Sequence, residues 1–87
     1  MFATIQTLID QQAKIAIPAA HLTPRANLYE LGLTSFDAIR LLVAIERAFK
    51  IEFPRETLKR ETLSSMMAIA KAIESARPAA EELRIAA

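Results

Sequence analysis

"SFDAIRLLVAIERAFK", Ser35 to Lys50, decides the fold. It contains no Gly and no Pro. Phe36, Ile39, Leu42, Val43 and Phe49 recur at helical spacing, and Leu41 and Ile45 widen that apolar stripe. Asp37, Arg40, Ala44 and Arg47 follow at i, i+3, i+7 and i+10 and share the opposite face. The pattern predicts an amphipathic helix over Ser35–Lys50 with the stripe turned inward. Just before it lies Thr34, a good N-cap. Its hydroxyl can accept the Asp37 backbone N–H, and Asp37 adds negative charge to the first turn. Ser35 then occupies the first helical position, and its hydroxyl is not needed for the cap.

Residues 17–34, "IPAAHLTPRANLYELGLT", hold two prolines and the only glycine of the chain. Leu22, Leu28, Tyr29 and Leu31 supply apolar anchors, so a long ordered connection is expected. Connections of this length in small domains often carry function. Gly32 is read as a positive-φ turn that sets Ser35 in place. Before the connection, Phe2, Ile5, Leu8, Ile9, Gln12 and Ile15 predict a helix over 2–16, stopped by Pro18. After the long helix, Pro54 ends the turn "IEF" and a short helical piece is expected at 55–60. Thr62 is expected to cap a last helix through Ala76, with Leu63, Met66, Ile69, Ala70 and Ile73 inward. Pro78 closes it. Nothing reads as a strand. The fold class is all-α: three main helices, one short helix and a long first loop. Residues 1–77 form the domain, and 78–87 form a tail expected to fray.

Composition excludes several function classes. There are 87 residues, enough for one domain. Cys is absent, so no disulfide framework or thiolate metal site is possible. Eleven Lys and Arg against ten Asp and Glu leave a net charge of +1. The basic residues are dispersed, with one Tyr and no Trp for stacking, so no nucleic-acid signal arises. The N-terminus lacks a basic region and a continuous apolar run, and no stretch is long enough for a membrane span. The chain is expected to be cytoplasmic, soluble and monomeric. Its Met1 fits a discrete protein rather than a piece of a multidomain synthase. No nucleophile–base pair, carboxylate dyad or His cluster is visible, so no enzyme is expected. His21, the only histidine, reads as structural or solvent-facing. Met66 and Met67 read as core packing plus one partly exposed neighbour.

Ser35 is the remaining chemical handle. It follows the glycine turn and opens the most apolar helix. The N-terminus of a helix also favours an attached phosphate through free N–H groups and the dipole. The stretch "LYELGLTSFDAIRLLVAIERAFKIEFP", Leu28 to Pro54, resembles the acyl carrier proteins and the related peptidyl carrier proteins. Leu31, Gly32, Ser35, Phe36, Glu46, Phe49, Ile51, Phe53 and Pro54 carry the likeness. Helix order and length extend it over nearly all of residues 1–77.

The resemblance implies that Ser35 bears a phosphopantetheine arm, attached from coenzyme A by a separate phosphopantetheinyl transferase. The arm's thiol would hold an acyl group as a thioester, passed between partner enzymes in lipid or secondary-metabolite synthesis. Gly32, Thr34 and Phe36 would position the site. Asp37, Arg40, Val43 and Arg47 would lie on the docking face. The partners implied are the transferase, an acyl- or aminoacyl-loading ligase and downstream transferases. Two features depart from the commonest family pattern. Thr34 stands where Asp is usual; both cap well, so the change bears on which transferase accepts the site. The long helix carries two acidic residues against Arg40, Arg47 and Lys50. Carriers of fatty-acid synthesis are acidic there and dock on basic patches, so a specialised pathway is expected. Two alternatives stay open: an aminoacyl or peptidyl carrier, and a helical adaptor of the same fold that is never modified. A long fatty chain would need a pocket between helices, which Phe36, Phe49 and Phe53 would line or fill.

Overall fold

The computed structural model describes residues 1–78. It contains three helices, α1 (Phe2–Gln12), α2 (Ser35–Phe49) and α3 (Met66–Ser75). Single 3-10 turns lie at Ala19–His21, Arg55–Thr57 and Arg60–Leu63. Two short strands, β1 (Ile51–Glu52) and β2 (Arg77–Pro78), pair antiparallel, Ile51 opposite Pro78 and Glu52 opposite Arg77. The all-α class therefore stands, with this two-residue pairing added. A pairing so short has no alternation for a sequence pattern to reveal. Pro78 pairs here, and 79–87, the rest of the expected tail, lie outside the described residues.

One core holds the helices together. Ile5 and Ile9 of α1, Leu28 of the long connection, Leu41 and Ile45 of α2, and Ile69 of α3 are completely buried. At about 25 cal/mol per Å² of apolar surface, such burial is the main force setting the helices against one another. Met66 is buried and Met67 half-buried, as expected of the pair.

α1 ends at Gln12, four residues before the expected end at Ala16. Tertiary hydrogen bonds win over local helix propensity there. Ala13 turns extended, and the Ala16 N–H donates to the Leu31 carbonyl at 2.7 Å instead of to its own helix. The Asp10 carboxylate accepts the Ala19 N–H at 3.1 Å, which fixes the 3-10 turn after Pro18. The long connection is as ordered as expected. Leu22, Leu28 and Leu33 are buried, and its backbone is tied to the start of α3. The Leu28 N–H donates to the Ser64 carbonyl at 2.7 Å, and the Met67 N–H to the Pro24 carbonyl at 2.9 Å.

Two further expectations change. The short helical piece at 55–60 is two 3-10 turns, spanning Arg55–Thr57 and Arg60–Leu63. Thr62 lies inside the second, and its hydroxyl donates to the Thr57 carbonyl. The cap of α3 is Ser65, whose hydroxyl accepts the Ala68 N–H at 3.1 Å. Three hydroxyl residues compete for that role in "TLSS". The Ser64 carbonyl is taken by the Leu28 N–H and so does not open the helix ladder, and the helix starts later than Thr62 would allow.

The face of α2 is the largest correction. Its inward arc is Ala38, Leu41 and Ile45, flanked by the partly buried Leu42 and Phe49. Phe36, Ile39 and Val43, placed in the inward stripe by the sequence pattern, are 69%, 64% and 39% exposed. They lie on the outer side with Arg40 and Arg47. α2 is apolar on two sides, and periodicity alone does not say which side meets the core.

Candidate functional site

The site is built at the junction of the connection and α2. Gly32 has φ +112°, the left-handed half of backbone space that L side chains avoid. Around it the chain folds tightly. The Leu31 and Leu33 N–H groups both donate to the Leu28 carbonyl, at 3.1 and 3.0 Å, and the Gly32 N–H donates to the Tyr29 carbonyl at 3.2 Å. Asn27 starts this turn, its side-chain oxygen accepting the Tyr29 and Glu30 N–H groups at 3.0 and 3.3 Å. Leu33 is buried immediately after it.

Thr34 is the N-cap of α2, its hydroxyl accepting the Asp37 N–H at 3.1 Å. Ser35 follows as the first helical residue and is exposed. With Thr34 serving as the cap, the Ser35 hydroxyl is left outside it. The first-turn N–H groups of Ser35 and Phe36 stand at the open, positive end of the helix. Buried Leu33 on one side and buried Ala38 on the other hold this short segment fast.

A groove of about 490 Å³ opens beside Ser35. Ala38, Ile39 and Leu42 of α2 form one bank, and Leu58 and Leu63 face them. Lys59 and Arg60 add positive charge to the same groove. The Arg60 guanidinium stacks over the Tyr29 ring at 3.8 Å from its centroid. Burial raises the Tyr29 phenol above its ordinary pKa, and Arg60 pulls it the other way. Phe49 and Phe53 pack in the core and Phe36 lies outside, so none of the three lines this groove.

Such an arrangement suits a phosphodiester on a chain. A serine oxygen is presented on rigid backbone, helix N–H groups favour the negative charge, and a mostly apolar groove leads away from it. The remaining site residues of the sequence reading fall nearby. Arg40 and Arg47 are exposed, Val43 is partly so, and Asp37 is half-buried. Sequence reasoning missed Leu58, Lys59 and Arg60. Their one signal was Leu58, a large apolar residue within the charged run "RETLKRET". His21 is exposed at the end of its 3-10 turn, away from this groove's lining. Among the described residues there is no group of three or more His, Cys, Asp or Glu that could hold a metal ion. None of their helices is long and apolar enough to cross a membrane.

The family described as "Phosphopantetheine attachment site" matches residues 3–71. The aminoacyl carrier protein of Agrobacterium fabrum (strain C58) is 38% identical over 69 residues, covering 79% of this chain and 83% of the relative. An acyl carrier protein of Helicobacter pylori (strain J99) is 39% identical over 57 residues, covering 64% and 70%. Among solved structures, a carrier protein from Agrobacterium tumefaciens superposes with a TM-score of 0.82 at 35% identity. The match covers 85% of this chain and 99% of that one. It was crystallised with an engineered Bradyrhizobium japonicum glycine:[carrier protein] ligase and AMP. Fold, groove and relatives agree: the chain belongs to the phosphopantetheine-attachment family and is a carrier protein of the acyl and aminoacyl carrier type.

Proposed function

We propose that Ser35 carries the phosphopantetheine arm and that the arm's thiol holds a small acyl group as a thioester. The observation that carries this reading is the exposed serine at the first position of α2, with Thr34 as the cap. A separate transferase supplies the arm from coenzyme A. Gly32, Thr34 and Phe36 position the site, and the outer side of α2, with Arg40, Val43 and Arg47 and with half-buried Asp37 at its margin, meets partner enzymes. In this reading the chain is a carried substrate and not an enzyme, acting as a monomer in the cytoplasm, where coenzyme A is available.

For the cargo, an aminoacyl group is the favoured form of the thioester. Its support is the likeness to the Agrobacterium carriers, one named for aminoacyl cargo and one bound to a glycine-loading ligase. The packing agrees. Leu41, Ile45 and Ile69 are completely buried, and the groove beside Ser35 is open, which suits a small cargo better than a long fatty chain. On this reading a loading ligase of that kind and a downstream transferase are the working partners.

Intact mass tests it. Incubation with coenzyme A and a broad-range phosphopantetheinyl transferase adds one arm to the wild type. Ser35→Ala abolishes the gain while leaving helicity unchanged. A mutant that still gains mass makes Ser35 the wrong residue. A wild type that never gains an arm from several transferases favours an unmodified adaptor.

A further inference from the structure

We infer that the outer arc of α2 docks an enzyme surface built as an apolar hollow edged by carboxylates. This rests on the carrier reading above and adds the chemistry of the partner. Phe36, Ile39 and Val43 stand at i, i+3 and i+7 and are 69%, 64% and 39% exposed. Arg40 and Arg47, at i+4 and i+11, fall in the same arc, and both are exposed. The Arg40 guanidinium carbon lies 6.0 Å from the Phe36 ring centroid, so the cation belongs to the apolar patch rather than to a separate surface. Across the groove from α2, Leu58 is 51% exposed and Lys59 extends the positive rim.

The carboxylates of α2 do not balance these cations on the outer arc. Glu46 is half-buried, and its side chain accepts the Phe53 N–H at 3.0 Å. Asp37 is half-buried in the first turn, beside the positive end of the helix. What the arc offers is therefore apolar at its centre and positive at its edge. An exposed ring among aliphatic neighbours marks a contact surface, and edge charge sets association rate and partner choice.

A second copy of the chain fits poorly. A two-fold contact through this arc sets arginines against arginines. An enzyme that must reach the thioester, by contrast, has to approach Ser35, which borders this arc.

The test uses arm-bearing protein, verified by mass, and two probe enzymes. One is the Bradyrhizobium japonicum glycine:[carrier protein] ligase. The other is a malonyl transferase of fatty-acid synthesis, an enzyme that serves carriers with an acidic second helix. The variant is R40E/R47E. Its glycine loading is expected to fall about tenfold in kcat/KM through KM, with kcat kept, and its malonyl loading to rise about tenfold. Wild-type glycine loading should weaken as salt is added. Phe36→Ala should lose loading without losing thermal stability.

The inference is overturned if R40E/R47E is glycylated as well as the wild type, or gains nothing with the malonyl transferase. Failure of the ligase to load the arm-bearing wild type overturns it too. So does co-sedimentation of the wild type with phosphatidylglycerol vesicles at physiological salt, or a dimer in analytical ultracentrifugation that R40E/R47E abolishes. A wild type that takes no arm sinks the carrier reading and this inference together. An arm with indifferent reversal sinks this inference alone.

Discussion

Gly32→Ala isolates backbone geometry at the site. The φ of +112° lies where an L side chain crowds its own backbone, at a cost of roughly 1–2 kcal/mol. Steric clash with the rest of the fold adds little. A Cβ at this position lies 3.6 Å from the Lys14 carbonyl oxygen and 3.9 Å from the Ile15 Cα, which are ordinary contacts. The strain alone therefore sets the magnitude. In a domain of 60–100 residues, each kcal/mol moves Tm by roughly 4–8 °C. The expected loss for this 87-residue chain is about 4–16 °C. Thermal and urea melts followed by circular dichroism measure it, with the urea m-value unchanged if the folded state keeps its extent. The folded fraction should keep the Thr34 cap and α2 but accept the arm more slowly than the wild type, because Gly32 makes the turn that places Ser35. A Tm drop below about 1 °C would refute the reasoning, since the left-handed turn would then not be held in solution. A loss beyond roughly 4 kcal/mol would refute it from the other side, by revealing a clash the contact distances do not contain.

Five substitutions at four positions test the reading of α2. Glu46→Ala removes the acceptor of the Phe53 N–H and should cost about 1–3 kcal/mol in urea unfolding, because a partly buried donor is left unpaired; Glu46→Gln keeps an acceptor and should recover most of it. Leu41→Ala should cost about 2–5 kcal/mol, whereas Phe36→Ala and Ile39→Ala should each stay within about 0.5 kcal/mol; equal losses at Leu41 and Phe36 would mean that the inward arc is wrongly assigned.

Legibility followed how local the physics was. The Thr34 cap and the left-handed turn at Gly32 were readable because each depends on a few consecutive residues. The inward residues of α3 were readable because that helix is apolar on one main side. What could not be read depended on distant partners. The early end of α1 comes from the bond between Ala16 and Leu31, fifteen positions on. The choice of Ser65 over Thr62 as a cap follows from the Leu28 N–H taking the Ser64 carbonyl. The groove beside Ser35 needs Leu58 and Lys59 to come across from the segment between the last two main helices, and the lone apolar Leu58 in "RETLKRETL" does not say which helix it will face.

α2 shows why the same ambiguity can hide both fold and function. Its sequence holds enough large apolar residues for two faces, but one core contact needs only Ala38, Leu41 and Ile45 with their flanks. Burying Phe36, Ile39 and Val43 as well would require a second layer of protein, and the described residues leave all three exposed. Their exposure keeps apolar surface in water, so folding of this domain gives no reason for it. The apolar excess lies beside Ser35, whose hydroxyl is left outside the cap, and Arg40 and Arg47 fall within it. Stability alone would be served as well by polar residues at those positions, whereas a surface that must be gripped repeatedly and released requires apolar contact of limited area with charge at its edge.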